Sequence, residues 1–194
     1  MSTTQDYYNQ HAEAFYAQTV CVDMNDLYQP FLTHLPKHAK ILDLGCGSGR
    51  DTLAFKHQGY DVDAIDYSEE LVKKASQFTG LKVMHQSFYD LSVKNKYHGI
   101  WACASLLHCE RNRLSDVIHR IKEALLDQGV CYISFKYGDS DREKEGRQFT
   151  DLNEHQAEVL FNHFANIQIL QQWITTDRRP DRDEKWLNIL FKKT

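Results

Sequence analysis

Three glycines at alternate positions constrain this chain more than any other feature of its sequence. The apolar segment 41–44 runs into a turn containing Gly45, Gly47 and Gly49, and a helical pattern begins immediately afterwards. Because glycine has no Cβ, it admits left-handed backbone angles and lets a ligand approach the main chain closely. The helix that follows begins with free N–H groups directed at the same space. This arrangement predicts a nucleotide-type pocket at the edge of a parallel sheet.

Two flanking residues distinguish between the cofactors that such a pocket could hold. The dinucleotide fingerprint G-x-G-x-x-G requires a glycine at the position that Arg50 occupies, and no Gly-Lys-Ser/Thr follows as in a phosphate-binding P-loop. Asp43 places a carboxylate where a pyrophosphate would need neutral or positive surroundings. An acidic pocket favours a ligand with cationic groups and no phosphate. S-adenosylmethionine has this composition.

The segment Asp43-Leu-Gly-Cys-Gly-Ser-Gly49 resembles the D-x-G-x-G-x-G signature of the class I S-adenosylmethionine-dependent methyltransferases. The run Gly49-Arg-Asp51 and the compact size are most similar to the small-molecule and tellurite-resistance branches of that class. The resemblance implies transfer of a methyl group from S-adenosyl-L-methionine to a small-molecule acceptor by in-line displacement, with S-adenosyl-L-homocysteine as product. Two alternatives are an RNA or protein methyltransferase and a non-catalytic regulatory module that only binds the cofactor.

The length, charge and cysteine content of the chain limit the partners and the cellular compartment that we expect for it. The chain has 194 residues and a formal charge of −4, which predicts one domain over 1–194 and argues against a nucleic-acid partner. No apolar run is long enough for a membrane span, and the polar start of the chain does not resemble an export signal. Five scattered cysteines are typical of thiols in a reducing cytoplasm, and their spacing indicates no metal site. We therefore expect a cytoplasmic protein without a membrane or metal partner, as a monomer or homodimer.

Apolar runs alternate with helical patterns along residues 40–194, which predicts an α/β fold with helices on both faces of a mostly parallel sheet. Candidate strands are 40–44, 60–66, 81–85, 99–104, 130–135, 167–174 and 186–191, and candidate helices are 50–58, 69–78, 112–126 and 153–164. No helix separates the last two strands, only a charged connection containing Pro180. They should form an antiparallel hairpin. The expected architecture is a Rossmann-like, doubly wound, seven-stranded sheet with a C-terminal antiparallel hairpin.

Residues 1–39 precede the first strand and have helical patterning with many aromatic side chains. In similar methyltransferases such a segment lies across the cofactor pocket as a lid, and this resemblance makes Tyr16 a candidate cofactor contact. The alternative is a helix that only packs on the sheet.

Ligands of open α/β sheets bind beyond the carboxyl ends of the strands, so candidate cofactor residues should follow each strand. The backbone of Gly45, Cys46 and Gly47 would line the methionine part of the cofactor. Arg50 could pair with the cofactor carboxylate, or it could simply face solvent in the first turn of the helix. Asp43 would accept from the N–H groups of the loop or, through water, bind the ligand ammonium.

Later strands supply the adenosine contacts. Asp66 can accept both ribose hydroxyls, although it could instead cap the helix that begins near Ser68. Tyr67 would then lie beside the adenine. The family commonly has an acid after the third strand, but this chain has Ser87 followed by Phe88, and these two residues are the adenine candidates.

The acceptor side is less defined. Residues 104–109 match the segment that lines the methyl-transfer site in similar enzymes, with Ser105 near the cofactor and His108 as the candidate catalytic base or substrate contact. The polar stretch 135–150 is long enough for a mobile loop over the substrate. If Lys136 and Arg147 converge with an arginine of the last hairpin, the substrate would be anionic; otherwise these are solvated mixed-charge loops.

Overall fold

The computed structural model describes residues 3–179 and 182–194, so Pro180 of the last connection lies outside the described part. The described helices are Thr4–Gln10 (α1), Ala12–Thr19 (α2), Asn25–Leu32 (α3), Arg50–His57 (α4), Glu69–Thr79 (α5), Leu114–Ala124 (α6) and Glu154–Phe161 (α7). The described strands are Lys40–Leu44 (β1), Asp61–Asp66 (β2), Met84–His85 (β3), Tyr97–Ala102 (β4), Leu125–Lys136 (β5), Asp141–Lys144 (β6), Arg147–Thr150 (β7), Ile167–Thr176 (β8) and Lys185–Lys193 (β9).

Seven of these strands form one sheet in the order β3-β2-β1-β4-β5-β9-β8. The pairs among β1 to β5 are parallel, whereas β9 runs antiparallel to both β5 and β8. The prediction of a mostly parallel sheet that ends in an antiparallel hairpin is confirmed. Strand order reverses between β1 and β4, so the carboxyl ends of β1, β2 and β4 open into one crevice.

Both faces of the sheet are covered, as predicted. Alternate residues of β1 belong to different clusters: Leu42 and Leu44 pack with α6 and α7, whereas Ile41 packs with α3 and α4. Strand alternation sends successive side chains to opposite faces, and a parallel sheet with helices on both sides buries both sets. The core therefore fixes the strand ends from which the glycine loop and Asp66 project.

The N-terminal segment divides into two parts with different environments. The helix α3 is a core element because Leu27, Tyr28, Phe31 and Leu32 are buried on it. The helix α1 has no buried residue and is held across the crevice by polar contacts. Residues of α1 and α2 line the crevice, and Val22, Met24 and Leu27 of the following segment also line it.

The stretch 135–150 differs from the predicted loop. It contains the hairpin of β6 and β7, with left-handed backbone angles at Glu145 (φ 56°) and Gly146 (φ 76°). Two successive residues with positive φ make the turn whose twist matches a two-stranded hairpin. Phe149 and Thr150 are buried by this hairpin, which holds Arg147 in a defined place. This part of the stretch predicted as a loop is therefore a two-stranded hairpin.

Helix α6 ends at Ala124, two residues before the predicted limit, because Leu125 already pairs with Tyr97 in the sheet. In the described part of the chain, no helix combines the length and apolar character needed to cross a membrane. The same residues contain no group of three or more His, Cys, Asp or Glu side chains placed to hold a metal ion.

Candidate active site

The glycine loop joins β1 to α4 and is fixed from both sides. All three glycines have left-handed angles, with φ of 82° at Gly45, 55° at Gly47 and 80° at Gly49. A Cβ at Gly45 would lie 2.4 Å from the Cβ of Ser105, so only glycine fits there. The Ser105 hydroxyl donates to the carbonyl oxygen of Leu44 at 2.6 Å. The loop therefore lies directly against the segment that follows β4.

Asp43 lies behind the loop. Its carboxylate is buried and accepts from the Thr52 hydroxyl at 2.6 Å. Burial and the nearby Asp51 raise the pKa of Asp43 well above its usual range. Asp43 is absent from the walls of both cavities described below. The expectation that it accepts from the loop N–H groups is not met, since its polar partner is Thr52.

Arg50 and Asp51 form a buried ion pair at the start of α4. The Arg50 guanidinium donates through Nε to Oδ1 of Asp51 at 2.6 Å and through Nη2 to Oδ2 at 2.9 Å. Asp51 also accepts from Tyr28 and from the indole of Trp101. Arg50 lines a cavity, and the Nε and Nη2 edge of its guanidinium is held by Asp51.

Asp66 ends β2 and contacts the glycine loop directly. Its carboxylate accepts from the backbone N–H of Gly47 and of Ser68, both at 2.8 Å. The cap of α5 is the Ser68 side chain, which accepts from the Leu71 N–H. Burial raises the pKa of Asp66, and the backbone donors oppose this effect. The Asp66 carboxylate therefore lies in a cavity wall, and it is not needed to cap α5 because Ser68 does so.

Three further candidates lie near Asp66. Tyr67 is half exposed, and its ring stacks on His85 with centroids 5.9 Å apart. Ser87 begins a short 3₁₀ turn and accepts from the Tyr89 N–H, while Phe88 lies on the same wall. The structure brings Asp66, Tyr67, Ser87 and Phe88 together around one space, the Asp66 cavity, of about 460 Å³.

Tyr16, like Asp43, is a cofactor candidate that the structure places away from both cavities. Its ring packs edge-on against Phe78, at 5.8 Å, with Lys74 above it, and it lines neither cavity. The adjacent Phe15 lines both cavities and lies 3.0 Å from the position that a Gly47 Cβ would take. One residue rotates a helical side chain by about 100°, which explains the correction.

His108 lies at the boundary between two spaces. Its Nδ1 is 2.7 Å from the carbonyl oxygen of Gln148, which can only accept, so Nδ1 carries the proton. Nε2 then accepts from the Tyr8 hydroxyl at 2.8 Å. Burial, assisted by the charges of Arg147 and Lys136 and opposed by the hydrogen bond to Gln148, lowers the pKa of His108 to about 4. At neutral pH the ring is uncharged and both of its nitrogens have partners.

Tyr8 is the functional candidate that the sequence did not single out. It lines both cavities and links α1 to the segment after β4 through the bond to His108. The only signal in the sequence was the cluster of aromatic residues before β1. That cluster did not distinguish Tyr8 from its neighbours.

Lys136 and Arg147 converge on a second space, the Arg147 cavity, of about 480 Å³. Lys136 pairs with Glu184 at 2.8 Å, and Arg147 pairs with Glu145 at 2.7 Å. The two cavities share the walls formed by Gly45, Gly47, Ala104 and His108, together with the aromatic residues from α1 and α2. The glycine loop is therefore the point at which they meet.

Comparison with known proteins agrees with this geometry. A methyltransferase-domain family profile matches residues 41–129, which include the glycine loop, Asp66 and His108. A protein of Staphylococcus carnosus described as an uncharacterized methyltransferase is 25% identical over 149 residues, covering 72% of each chain. Residues 41–129 therefore form a methyltransferase domain, and the chain is similar to the S-adenosylmethionine-dependent methyltransferases.

Two further similarities place this methyltransferase among its relatives. The probable S-adenosyl-L-methionine-dependent methyltransferase TehB of Haemophilus influenzae is 30% identical over 89 residues, which are 43% of this chain and 31% of TehB. The solved 1,6-didemethyltoxoflavin-N1-methyltransferase of Burkholderia thailandensis has the same fold, with a TM-score of 0.78. It is 22% identical, and the match covers 96% of this chain and 84% of that one. The methyl donor of the class is S-adenosylmethionine, and its product is S-adenosylhomocysteine.

Proposed function

We propose that this methyltransferase transfers the methyl group to a small-molecule acceptor bound in the Arg147 cavity, with the adenosine part of the donor in the Asp66 cavity. The observation that carries the proposal is the meeting of the two cavities at the glycine loop and His108. A donor that spans this junction has its reactive methyl group where the acceptor cavity begins.

The residues of the Asp66 cavity fit an adenosine. Each Asp66 oxygen takes one backbone N–H, which leaves lone pairs for the two ribose hydroxyls. Leu71 and Phe88 supply apolar surface on the same walls, and Tyr67 and Ser87 complete the proposed adenine side. Among the described residues, the walls hold three carboxylates, those of Asp66, Glu110 and Glu143, and no lysine or arginine, which suits a ligand without phosphate.

The methionine end would lie along Cys46 and Gly47, with Ser105 supporting the loop from behind. Arg50 lines this part of the Arg147 cavity, where one edge of its guanidinium is held by Asp51 and Nη1 lies 3.4 Å from the carbonyl oxygen of Thr19. Arg50 thus contributes positive charge from a fixed position. If Nη1 gave up its long contact with the Thr19 carbonyl oxygen, it could donate to the carboxylate of the cofactor instead.

Bound S-adenosylmethionine supplies a methyl group on a sulfonium, which leaves as a neutral thioether. The protein mainly has to align the acceptor with the carbon–sulfur bond and exclude water. Phe15 and Tyr8 cover the junction from the helices above it, and Ala104 and His108 form its floor. These four residues define the approach path of the acceptor.

The sequence made His108 a candidate catalytic base or substrate contact, and its hydrogen bonds favour a different proposal. Because its Nε2 accepts from Tyr8, a proton leaving the acceptor would pass to the Tyr8 oxygen as the Tyr8 proton passes to Nε2. The low pKa of His108 makes it a weak proton acceptor at neutral pH. We propose that His108 chiefly fixes Tyr8 over the reacting atoms, and that the acceptor atom needs little assistance from a base.

A small acceptor is favoured because two elements partly cover the Arg147 cavity. The helix α1 covers it from one side and the hairpin of β6 and β7 from another, where the Gln148 N–H donates to the Thr4 hydroxyl. The similar 1,6-didemethyltoxoflavin-N1-methyltransferase was solved with 1,6-didemethyltoxoflavin and S-adenosylhomocysteine bound. An RNA or protein side chain would have to displace α1 before it reached the junction.

Two measurements test the proposal. Isothermal calorimetry with S-adenosylhomocysteine should give saturable heat, and absence of heat at high protein concentration would contradict the cofactor assignment. Labelled S-adenosylmethionine should then transfer label to members of a small-metabolite panel, with bulk RNA and denatured protein as the comparison substrates. Label confined to the macromolecules would refute the small-molecule acceptor.

A further inference from the structure

The Arg147 cavity has a charge opposite to that of the protein. Among the described residues its walls include eight basic and four acidic side chains, whereas the whole chain has 23 basic and 27 acidic residues. The basic excess is concentrated away from the glycine loop, on β5, the hairpin of β6 and β7, and the connection between β8 and β9. A positively lined cavity in an acidic protein attracts anions selectively.

Three cations surround one buried ring in this cavity. Lys136, Arg142 and Arg147 have their charged groups 5.5, 5.4 and 5.3 Å from the centroid of Phe149. Phe149 in turn lies 4.9 Å from the ring of His108, measured between centroids. The cationic cluster is therefore one aromatic ring away from the junction of the two cavities.

The acidic partners of these cations differ in their exposure to solvent, and this difference distinguishes a structural ion pair from two pairs that a ligand can replace. Arg142 is held by both oxygens of Asp151, whose side chain is only 7% exposed. Lys136 and Arg147 are 14% and 15% exposed, but their partners Glu184 and Glu145 are 38% and 56% exposed. An ion pair with a solvated carboxylate contributes little, so an incoming anion can replace Glu184 and Glu145 at small cost.

Arg147 has an unused donor. Its guanidinium lies 3.8 Å from the centroid of Tyr7 and donates through Nη2 to Glu145. Its Nε is buried and has no hydrogen-bond partner, the one such side-chain atom among the described residues. A buried donor without a partner costs about 1–3 kcal/mol, which a ligand oxygen would recover. The Nε edge is half of the fork with which arginine binds a carboxylate.

We infer that the methyl acceptor is a small organic acid, whose carboxylate is bound by Arg147 and Lys136 beside Phe149. This inference rests on the proposed function, because it assigns a substrate class to the acceptor cavity. Arg147 supplies the directional contact through its fork, and Lys136 supplies a second charge. Glu145 and Glu184 occupy these cations until the acid enters.

The state of His108 agrees with an anionic acceptor. A positive imidazolium would lie next to Lys136 and Arg147, and the ring instead stays neutral with both nitrogens hydrogen-bonded. The site is thus arranged to receive negative charge rather than to gain a proton. Phe149 and Tyr7 add flat apolar surface, which favours an acid with a planar body.

The test uses matched ligands that differ in charge but not in shape. Benzoate and phenylacetate are titrated against their neutral primary amides, benzamide and phenylacetamide, with the protein saturated by S-adenosylhomocysteine. Ligand-observed NMR gives the dissociation constants. We expect each acid to bind at least tenfold more tightly than its amide. Arg147→Gln should abolish this preference, and Lys136→Gln should reduce it.

The matched control is Arg120→Gln on α6, since Arg120 pairs with Asp116 and lines neither cavity. It should keep the preference for acids. Equal affinity for acids and amides, or no binding of either acid to the S-adenosylhomocysteine complex, would overturn the inference. Binding of S-adenosylhomocysteine is measured first in every variant. If the unchanged protein does not bind S-adenosylhomocysteine, the proposed function fails. If it binds S-adenosylhomocysteine but shows no preference for acids over amides, only the present inference fails.

Discussion

Asp66 offers the sharpest test of how the cofactor is held. Its carboxylate already accepts two backbone N–H groups at 2.8 Å, so it is fixed in place before any ligand arrives. Replacing it by alanine removes the proposed acceptor of the ribose hydroxyls. Hydrogen bonds to a charged group contribute about 1.5–3 kcal/mol. We therefore expect Asp66→Ala to weaken S-adenosylhomocysteine binding by roughly ten- to a hundredfold.

The same substitution also removes the tie between Asp66 and the glycine loop, and a ligand comparison separates the two effects. Adenosine should lose affinity in Asp66→Ala, whereas 2′,3′-dideoxyadenosine, which lacks both hydroxyls, should bind the two proteins almost equally. Calorimetry of S-adenosylhomocysteine and NMR titration of the nucleosides give the constants. Thermal unfolding of each variant checks that the fold is retained.

Glu69→Ala is the matched control, because Glu69 is an acid in the first turn of α5 that pairs with Lys73 and lines neither cavity. It should bind S-adenosylhomocysteine as the unchanged protein does. If both nucleosides lose the same free energy in Asp66→Ala, the carboxylate acts only by shaping the loop. If neither loses any, the role assigned to Asp66 is refuted.

Three further predictions concern the loop and the His108–Tyr8 pair. Gly45→Ala should lower the free energy of unfolding by about 2 kcal/mol or more, because it combines a left-handed angle with a 2.4 Å approach to Ser105; an unchanged urea midpoint would contradict this. Tyr8→Phe should lower the free energy of unfolding by about 1–3 kcal/mol, because it leaves Nε2 of His108 buried without a donor. The same urea titration measures this change, and a change below roughly 0.5 kcal/mol would mean that water replaces the hydroxyl. The folded pKa of His108, about 4, lies below its unfolded value, so its contribution to stability is present at neutral pH and is lost as pH falls from about 6.5 towards 4. His108→Asn should remove that part of the acid sensitivity, up to about 3 kcal/mol between pH 7 and 4, and parallel pH profiles of the two proteins would refute it.

The cofactor side of the site could be predicted from the sequence because its determinants are local. Gly45, Gly47 and Asp66 each follow a strand directly, and the sheet brings strand ends together without any further information. The class also follows from the Asp43 to Gly49 signature. What the signature did not give is the partner of each side chain. Asp43 bonds Thr52, and Arg50 bonds the adjacent Asp51, and both choices depend on which groups the core buries.

The acceptor side could not be predicted because its contacts join distant parts of the chain. Tyr8 and His108 are 100 residues apart, and nothing local indicates their pairing. The stretch 135–150 has mixed charges that are typical of a solvated loop, yet the turn at Glu145 and Gly146 folds it into a hairpin that buries Phe149. Once Phe149 is buried, Lys136 and Arg147 must face the same space. The convergence that the sequence left open is therefore a consequence of one hairpin.

The helix α1 connects the cofactor side of the site to the acceptor side, and little of its surface is buried. It contacts the cofactor side through Gln5, which donates to the Tyr67 carbonyl, and the acceptor side through Tyr8 and Thr4. None of its residues is fully buried, and besides these polar contacts the rings of Tyr7 and Tyr8 pack against Arg147, Phe15 and His108. Segments with little buried apolar surface open at low free energy. Both cavities lie beneath α1, so a ligand in either cavity contacts residues of this helix. Tyr8 lines both cavities, and we therefore expect the binding of cofactor and the binding of acceptor to be coupled through Tyr8.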